Sequence, residues 1–171
     1  QDPRHVRVSV EPLPLIEGGD VALDEVFKAV NKAAELLESD NQPRAILFET
    51  ALHGELLNLD EEDNKRHYAG GMSANRINAG LGMIVSQLLE KVGKEKVAGL
   101  YTTGGDTMVN VCYQLGVECI EVMDYVIPQT DVGRLVGSKY SGLPVVGKGG
   151  LTGNDNTACD IVSRLFRESA R

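Results

Sequence analysis

The sequence predicts an α/β fold: a layered, mostly parallel sheet with helices on both faces and glycine turns at the C-terminal ends of its strands. Three observations predict it. Short β-type runs alternate with segments whose apolar residues recur every three or four positions, the pattern of strands joined by amphipathic helices. Two of the β-type runs feed straight into glycine pairs, at Thr103-Gly104-Gly105-Asp106-Thr107 and at Lys148-Gly149-Gly150-Leu151-Thr152-Gly153. The 171 residues, 42% hydrophobic and 25% charged, suit a single domain with a sizeable core. A Rossmann-like arrangement follows, with both turns where open α/β sheets bind ligands.

His5-Val6-Arg7-Val8-Ser9-Val10 alternates polar and apolar residues as a half-buried strand does. Pro12 and Pro14 then break regular pairing, and Glu17-Gly18-Gly19-Asp20 is a turn whose Asp20 can cap the next helix. That helix runs from Val21 to about Glu38, with Leu23, Val26, Phe27, Val30, Ala33, Ala34 and Leu37 along one face. Ala45-Ile46-Leu47-Phe48 reads as a short buried strand. Thr50 to Gly71 carries the mixed-charge run Leu59 to His67 and is expected to be mostly an exposed connection, a surface flap.

Ser73 is a candidate N-cap for a helix to about Val92, with Ile77, Leu81, Ile84, Val85, Leu88 and Leu89 as its stripe and Gly93 as its stop. Val97 to Tyr101 is the strand before the first glycine pair. Met108, Val109, Val111, Cys112 and Leu115 give the following helix its apolar face, and Gly116 closes it. Val117 to Val122 is another strand, Tyr125 to Gly137 a strand with a loop, and Leu143 to Lys148 the strand before the second pair. Asn156 to about Glu168 closes the chain as a helix.

Several function classes drop out. A net charge of −8 is wrong for a nucleic-acid binder, which needs basic patches to neutralise phosphates. No apolar run approaches the roughly 20 residues that span a bilayer, and no signal-peptide pattern opens the chain. Cys112, Cys119 and Cys159 are odd in number and lack C-x-x-C spacing, which argues against zinc and a disulfide framework; Cys112 and Cys119, among apolar neighbours, read as small buried hydrophobes in a reducing, cytoplasmic compartment. His5, His53 and His67 are scattered, and no metal site is assigned. No Gly-x-Ser-x-Gly elbow is present, and no catalytic residue is named. The chain opens Gln1-Asp2-Pro3 without an initiator methionine, as a fragment or a processed product would.

The glycine turns carry the chemistry. A strand, a glycine turn and a helix N-terminus make an anion site, because free N–H groups point outward and the helix dipole favours negative charge. Glycine lets a phosphate approach the backbone with no Cβ between them. Lys148 would add a point charge. Asp106 either favours the dipole of its own helix or orients Mg²⁺ through water. Thr107 either donates to a phosphate or assists the cap. Asn75, Arg76 and Asn78 open the second long helix, where they form a solvated first turn or face the same ligand. Neither turn is a Walker A loop or a G-x-G-x-x-G fingerprint.

Taken together, Thr103-Gly104-Gly105-Asp106-Thr107, Leu115-Gly116, Pro128, Gly133-Arg134-Leu135 and Leu143 through Gly153 resemble the C-terminal nucleotide-binding domain of the four-carbon acid sugar kinases. The motif order matches over about Glu95 to Leu165, and only the pattern of elements matches before that. The resemblance implies ATP-dependent, Mg²⁺-assisted phosphorylation of threonate, erythronate or 3-oxo-tetronate. It puts Thr103, Gly104, Gly105, Asp106 and Thr107 on the nucleotide phosphates, with Lys148, Gly149, Gly150 and Gly153 on a facing turn. It also implies that residues 1–171 form one nucleotide-binding domain, inactive alone, with the sugar-acid domain and the catalytic base missing.

The chain departs from the family pattern at Pro128-Gln129-Thr130-Asp131, where P-G-x-P is usual, and it lacks the family's G-S-x-S turn. An alternative is a non-catalytic regulatory domain of the same fold that binds nucleotide or a partner. Homo-oligomerisation stays open.

Overall fold

The computed structural model describes residues 4–52, 54 and 56–170. Gln1-Asp2-Pro3 and His53 lie outside the described residues. The chain divides into two compact units, Gln1–Lys91 and Val92–Arg171.

In the first unit, β1 (His5–Ser9) and β2 (Ala45–Glu49) pair in parallel, His5 opposite Ala45 through Ser9 opposite Glu49. α1 (Pro12–Glu17) follows β1, so the prolines that read as breakers begin a helix instead. Pro12 sits at the first helical position, where the missing N–H would have had no partner anyway. Gly18, at φ 81, ends α1 and begins α2 (Gly19–Glu38), leaving Asp20 inside the first turn rather than at the cap. α2 buries Ala22, Val26, Ala29, Val30, Ala33 and Ala34, while Leu23 and Phe27 at the edge of that face are exposed.

α4 (Met72–Val92) completes this core. Its Ile84 packs with Val8, Val10, Leu15, Val26 and Val30, flanked by Ile46, Phe48, Ile77 and Leu81. Burying an isoleucine such as Ile84, fully inaccessible here, contributes about 1.5–3 kcal/mol. Gly80 permits the close approach of α4 to α1, since a Cβ there would lie 2.7 Å from Leu15 Cδ2.

The charged run expected as an exposed flap contains α3 (Leu59–Arg66), and its Glu62 and Asp63 are buried. Charge pairing, not hydrophobicity, orders it. Lys65 Nζ donates to Glu62 at 2.7 Å and Arg66 also pairs with Glu62. These two cations hold the Glu62 carboxyl below its usual range.

Asp63 accepts the N–H of Gly71 and of Ser73, each at 2.7 Å, so the α4 N-terminus is capped by a carboxylate from α3. Ser73, read as the cap, lies one residue inside the helix and is the capped party. The Ser73 side chain, then the N–H groups of Ser73, Gly71 and Met72, lower the Asp63 carboxyl against an opposing push from burial. Arg76, in the first turn of α4, donates to the Ile16 and Glu17 carbonyls at 2.9 Å each, closing the C-terminal end of α1.

The second unit holds β3 (Leu100–Thr103), α5 (Gly105–Gln114), β4 (Cys119–Ile127), β5 (Thr130–Val136), β6 (Pro144–Lys148) and α6 (Thr157–Ser169). Its sheet has the order β3-β6-β5-β4. Only β3 and β6 are parallel, while β5 is antiparallel to both β6 and β4. The expected single, mostly parallel sheet is therefore a two-stranded parallel sheet and a four-stranded mixed one.

Pro128-Gln129 explains the antiparallel pairing of β4 with β5. Two residues suffice to join antiparallel strands, whereas a parallel connection needs a dozen or more. Proline suits the first turn position, and Gln129 takes φ 61 at the second.

Helices cover opposite faces of this sheet. Val132 and Val146, side by side in register, pack with Ile161 and Leu165 of α6. The next residue along β6, Gly147, points the other way, and a Cβ on it would lie 2.7 Å from Met108 Cε of α5. Cys112 is half-buried and Cys119 is exposed, so the expectation of two buried hydrophobes fits only the first in part; Cys159 is exposed as well.

Candidate functional site

The parallel pair in the second sheet sets the site. Thr103 ends β3 and Lys148 ends β6, and the two are directly opposite in register. Both glycine turns therefore leave neighbouring strands at the same level and the same C-terminal edge. The Gly104 N–H donates to the Lys148 carbonyl at 3.0 Å, which ties the start of one turn to the start of the other.

Gly104 has φ 91 and ψ 134, a region that side chains avoid, and it lets the chain turn from β3 into α5 within one residue. Gly105, Asp106 and Thr107 make the first turn of α5, and its N-cap residue, Gly104, has no side chain to cap it. The Met108 N–H is the first to find a backbone carbonyl, that of Gly104 at 3.2 Å. A Cβ at Gly105 would meet nothing within 4 Å, so the backbone there faces open space. The N–H groups of a helix's first turn, beside open space, are what an anion at a helix N-terminus uses. Asp106 is exposed in the same turn.

The second turn is built around its lysine. Lys148 Nζ donates to the carbonyls of Gly149 at 2.6 Å, Gly150 at 3.3 Å and Thr152 at 2.8 Å. Thr152 Oγ1 adds a bond to the Gly149 carbonyl at 3.2 Å. The Gly149 N–H donates to the Gln129 carbonyl at 2.8 Å, so the β4–β5 hairpin supports the turn. Gly150 is exposed and open, whereas Gly153 has φ 104 and a Cβ there would lie 2.7 Å from Thr157 Oγ1. The segment before α6 is closed by its own side chains: Thr157 Oγ1 accepts the Asn154 N–H at 2.8 Å, and Asn154 Oδ1 accepts the Asn156 N–H at 2.9 Å.

The nine residues that the resemblance puts on the nucleotide thus fall on two adjacent turns at one sheet edge, Thr103, Gly104, Gly105, Asp106 and Thr107 on the first and Lys148, Gly149, Gly150 and Gly153 on the second, whereas Asn75, Arg76 and Asn78 lie on α4 of the first unit. Sequence reasoning missed the supporting residues. Gln129 was legible only as a departure from a pattern, and it holds Gly149. Thr130 lies beside Lys148 in register, is fully buried, and its Oγ1 has no hydrogen-bond partner. Tyr101, two residues before Thr103, has its phenol pushed above the ordinary value by burial. Among the described residues, no three His, Cys, Asp or Glu side chains converge as a metal cluster, and no helix is long and apolar enough to cross a membrane.

An α/β unit whose two glycine turns share one strand edge, one of them at a helix N-terminus, has the layout of a phosphate-binding domain. The chain belongs to the family described as the nucleotide-binding C-terminal domain, whose model matches residues 1–158.

Over 93 residues it is 44% identical to a D-erythronate kinase of Heliobacterium modesticaldum, covering 54% of this chain and 21% of that protein. Over 144 residues it is 30% identical to a D-threonate kinase of Salmonella typhimurium, covering 84% of this chain and 33% of that one. These relatives bear out the resemblance to the C-terminal domain of the four-carbon acid sugar kinases. The chain spans a third or less of the length of either.

Two solved structures share the fold. One is a Bordetella bronchiseptica domain of unknown function, a domain-swapped dimer with bound citrate, at TM-score 0.63 and 22% identity over 96% of this chain and 40% of that one. The other is a Haemophilus influenzae protein, at TM-score 0.63 and 14% identity over 95% of this chain and 34% of that one.

Proposed function

We propose that this chain is the ATP-binding domain of a cytoplasmic kinase that phosphorylates a four-carbon sugar acid of the threonate, erythronate or 3-oxo-tetronate type. The observation that carries the reading is the register of Thr103 against Lys148, which brings both glycine turns to one edge. Membership in a nucleotide-binding family, with relatives that are erythronate and threonate kinases, supports it.

Each part of the site then has a task. The N–H groups of Gly105, Asp106 and Thr107 hold phosphate oxygens at the positive end of α5. Gly149, Gly150 and Gly153 form the facing wall, shaped by Lys148. The exposed Asp106 carboxylate would hold Mg²⁺ through water. Mg²⁺ supplies charge neutralisation when bound. Phosphoryl transfer asks mainly for positioning and electrostatic stabilisation, which backbone donors can provide without a nucleophile. The residue that takes the proton from the sugar hydroxyl belongs to another part of the kinase, so this chain binds nucleotide and turns over nothing alone.

Isothermal titration of Mg-ATP into the chain tests the reading. Saturable heat that is lost in Gly105→Val is the expected result. A Cβ at Gly105 meets no atom within 4 Å, and an unchanged far-ultraviolet circular dichroism spectrum checks that the variant keeps its fold. Absence of heat from the unaltered chain at millimolar ligand refutes the nucleotide site.

A further inference from the structure

We infer that Lys148 is a positioning residue: its ammonium holds the second glycine turn so that the turn presents backbone N–H groups to an anion, and it is not itself a phosphate ligand. The inference rests on the nucleotide reading above for the identity of that anion, but not for the geometry. An ammonium has three N–H donors. All three are within bonding distance of carbonyls of its own turn, at Gly149, Gly150 and Thr152. No donor remains for a phosphate oxygen.

The consequence for the backbone is direct. In a trans peptide the carbonyl of one residue and the N–H of the next point in opposite directions. Drawing the carbonyls of Gly149, Gly150 and Thr152 onto Nζ therefore turns the N–H groups of Gly150, Leu151 and Gly153 away from it. Those three residues are exposed. Without the cation, three converging carbonyl dipoles would repel one another and the turn would open. The lysine thus places its positive charge behind the wall, and the wall offers amides in front. Successive outward amides make an anion-binding nest.

Nuclear magnetic resonance on the chain and on Lys148→Met tests this, since methionine keeps the length of the side chain and removes every donor. In the nucleotide-free chain the amides of residues 149–153 are expected to be ordered, with order parameters of about 0.85, falling below about 0.6 in the variant. The amides of Val145 and Val146 should be unchanged, which shows that the sheet is intact. Mg-ATP affinity should fall tenfold or more. An equally ordered turn in Lys148→Met overturns the inference, whatever the affinity does.

A loosened turn with unaltered Mg-ATP affinity supports the lysine cage but refutes the nucleotide assignment, so the two failures are distinguishable. Should the variant not fold, the unaltered chain decides. A Lys148 ammonium signal that persists on adding Mg-ATP, with no coupling from its ¹⁵N to phosphorus, supports the inference; coupling to a nucleotide ³¹P overturns it.

Discussion

Gly104 and Gly105 are neighbours with opposite requirements, and alanine at each separates fold from binding. At Gly105 the backbone is helical and a Cβ meets no atom within 4 Å. Alanine there narrows the unfolded ensemble without straining the native one, a stabilisation of about 0.4–1 kcal/mol. At Gly104, space is no obstacle either, since the nearest atom is Thr107 Oγ1 at 3.7 Å. Its φ of 91 and ψ of 134, however, belong to a region essentially reserved for glycine, and alanine there costs about 1–3 kcal/mol.

The two variants should therefore differ by roughly 1.5–4 kcal/mol in urea denaturation, on opposite sides of the parent. Binding should move differently. Gly105→Ala, although the more stable protein, places a methyl group where a phosphate would approach, and its Mg-ATP affinity should fall at least tenfold, about 1.4 kcal/mol. Gly105→Ala that binds Mg-ATP like the parent would refute the role of the first turn. Gly105→Ala that is less stable than Gly104→Ala would refute the backbone argument itself.

Other expectations follow from the buried polar groups. Asp63, whose carboxyl is lowered in the folded chain, contributes stability above its unfolded value near 3.8 and loses it as pH falls through the lower folded value. Asp63→Ala should thus have a lower thermal midpoint than the parent at neutral pH, with the gap closing in acid; a gap that stays constant contradicts the capping role. Thr130→Val removes a fully buried hydroxyl that has no partner, and leaving such a group unsatisfied costs about 1–3 kcal/mol. The variant should be as stable as the parent or gain on the order of 1 kcal/mol in denaturant titration, and a clear loss would show that Thr130 Oγ1 is satisfied.

The parts of the fold that depend on local apolar spacing were legible in the sequence. α4 buries its stripe, α2 and α5 form where their stripes predict although Leu23, Phe27 and Val109 stay exposed, and both glycine turns stand directly after strands. The rest depends on partners remote in the chain or on charge. α3 could not be read from hydrophobicity because the residues it buries, Glu62 and Asp63, are acids, held by Lys65 and Arg66 and by the amides of α4. Ser73 had the composition of a cap, but the capping carboxylate comes from ten residues earlier. The β4–β5 hairpin was hidden because Pro128-Gln129 lacks the Asn-Gly or Asp-Gly chemistry that marks tight hairpins. Lys148 was legible as a charge beside glycines, while the direction of its donors depends on how the turn closes around it.

The register of Thr103 against Lys148 has a kinetic consequence. β4 and β5 are close in sequence and can zip within microseconds, whereas β3 must wait for β6, with α5 and the whole hairpin between them. The glycine turns exist as a pair only after that last, long-range closure. A transition state polarised toward the hairpin, with low φ-values along β3, is the expected signature. The edge that would hold phosphate is thus a late product of folding, and ligand binding there reports on completion of the second unit.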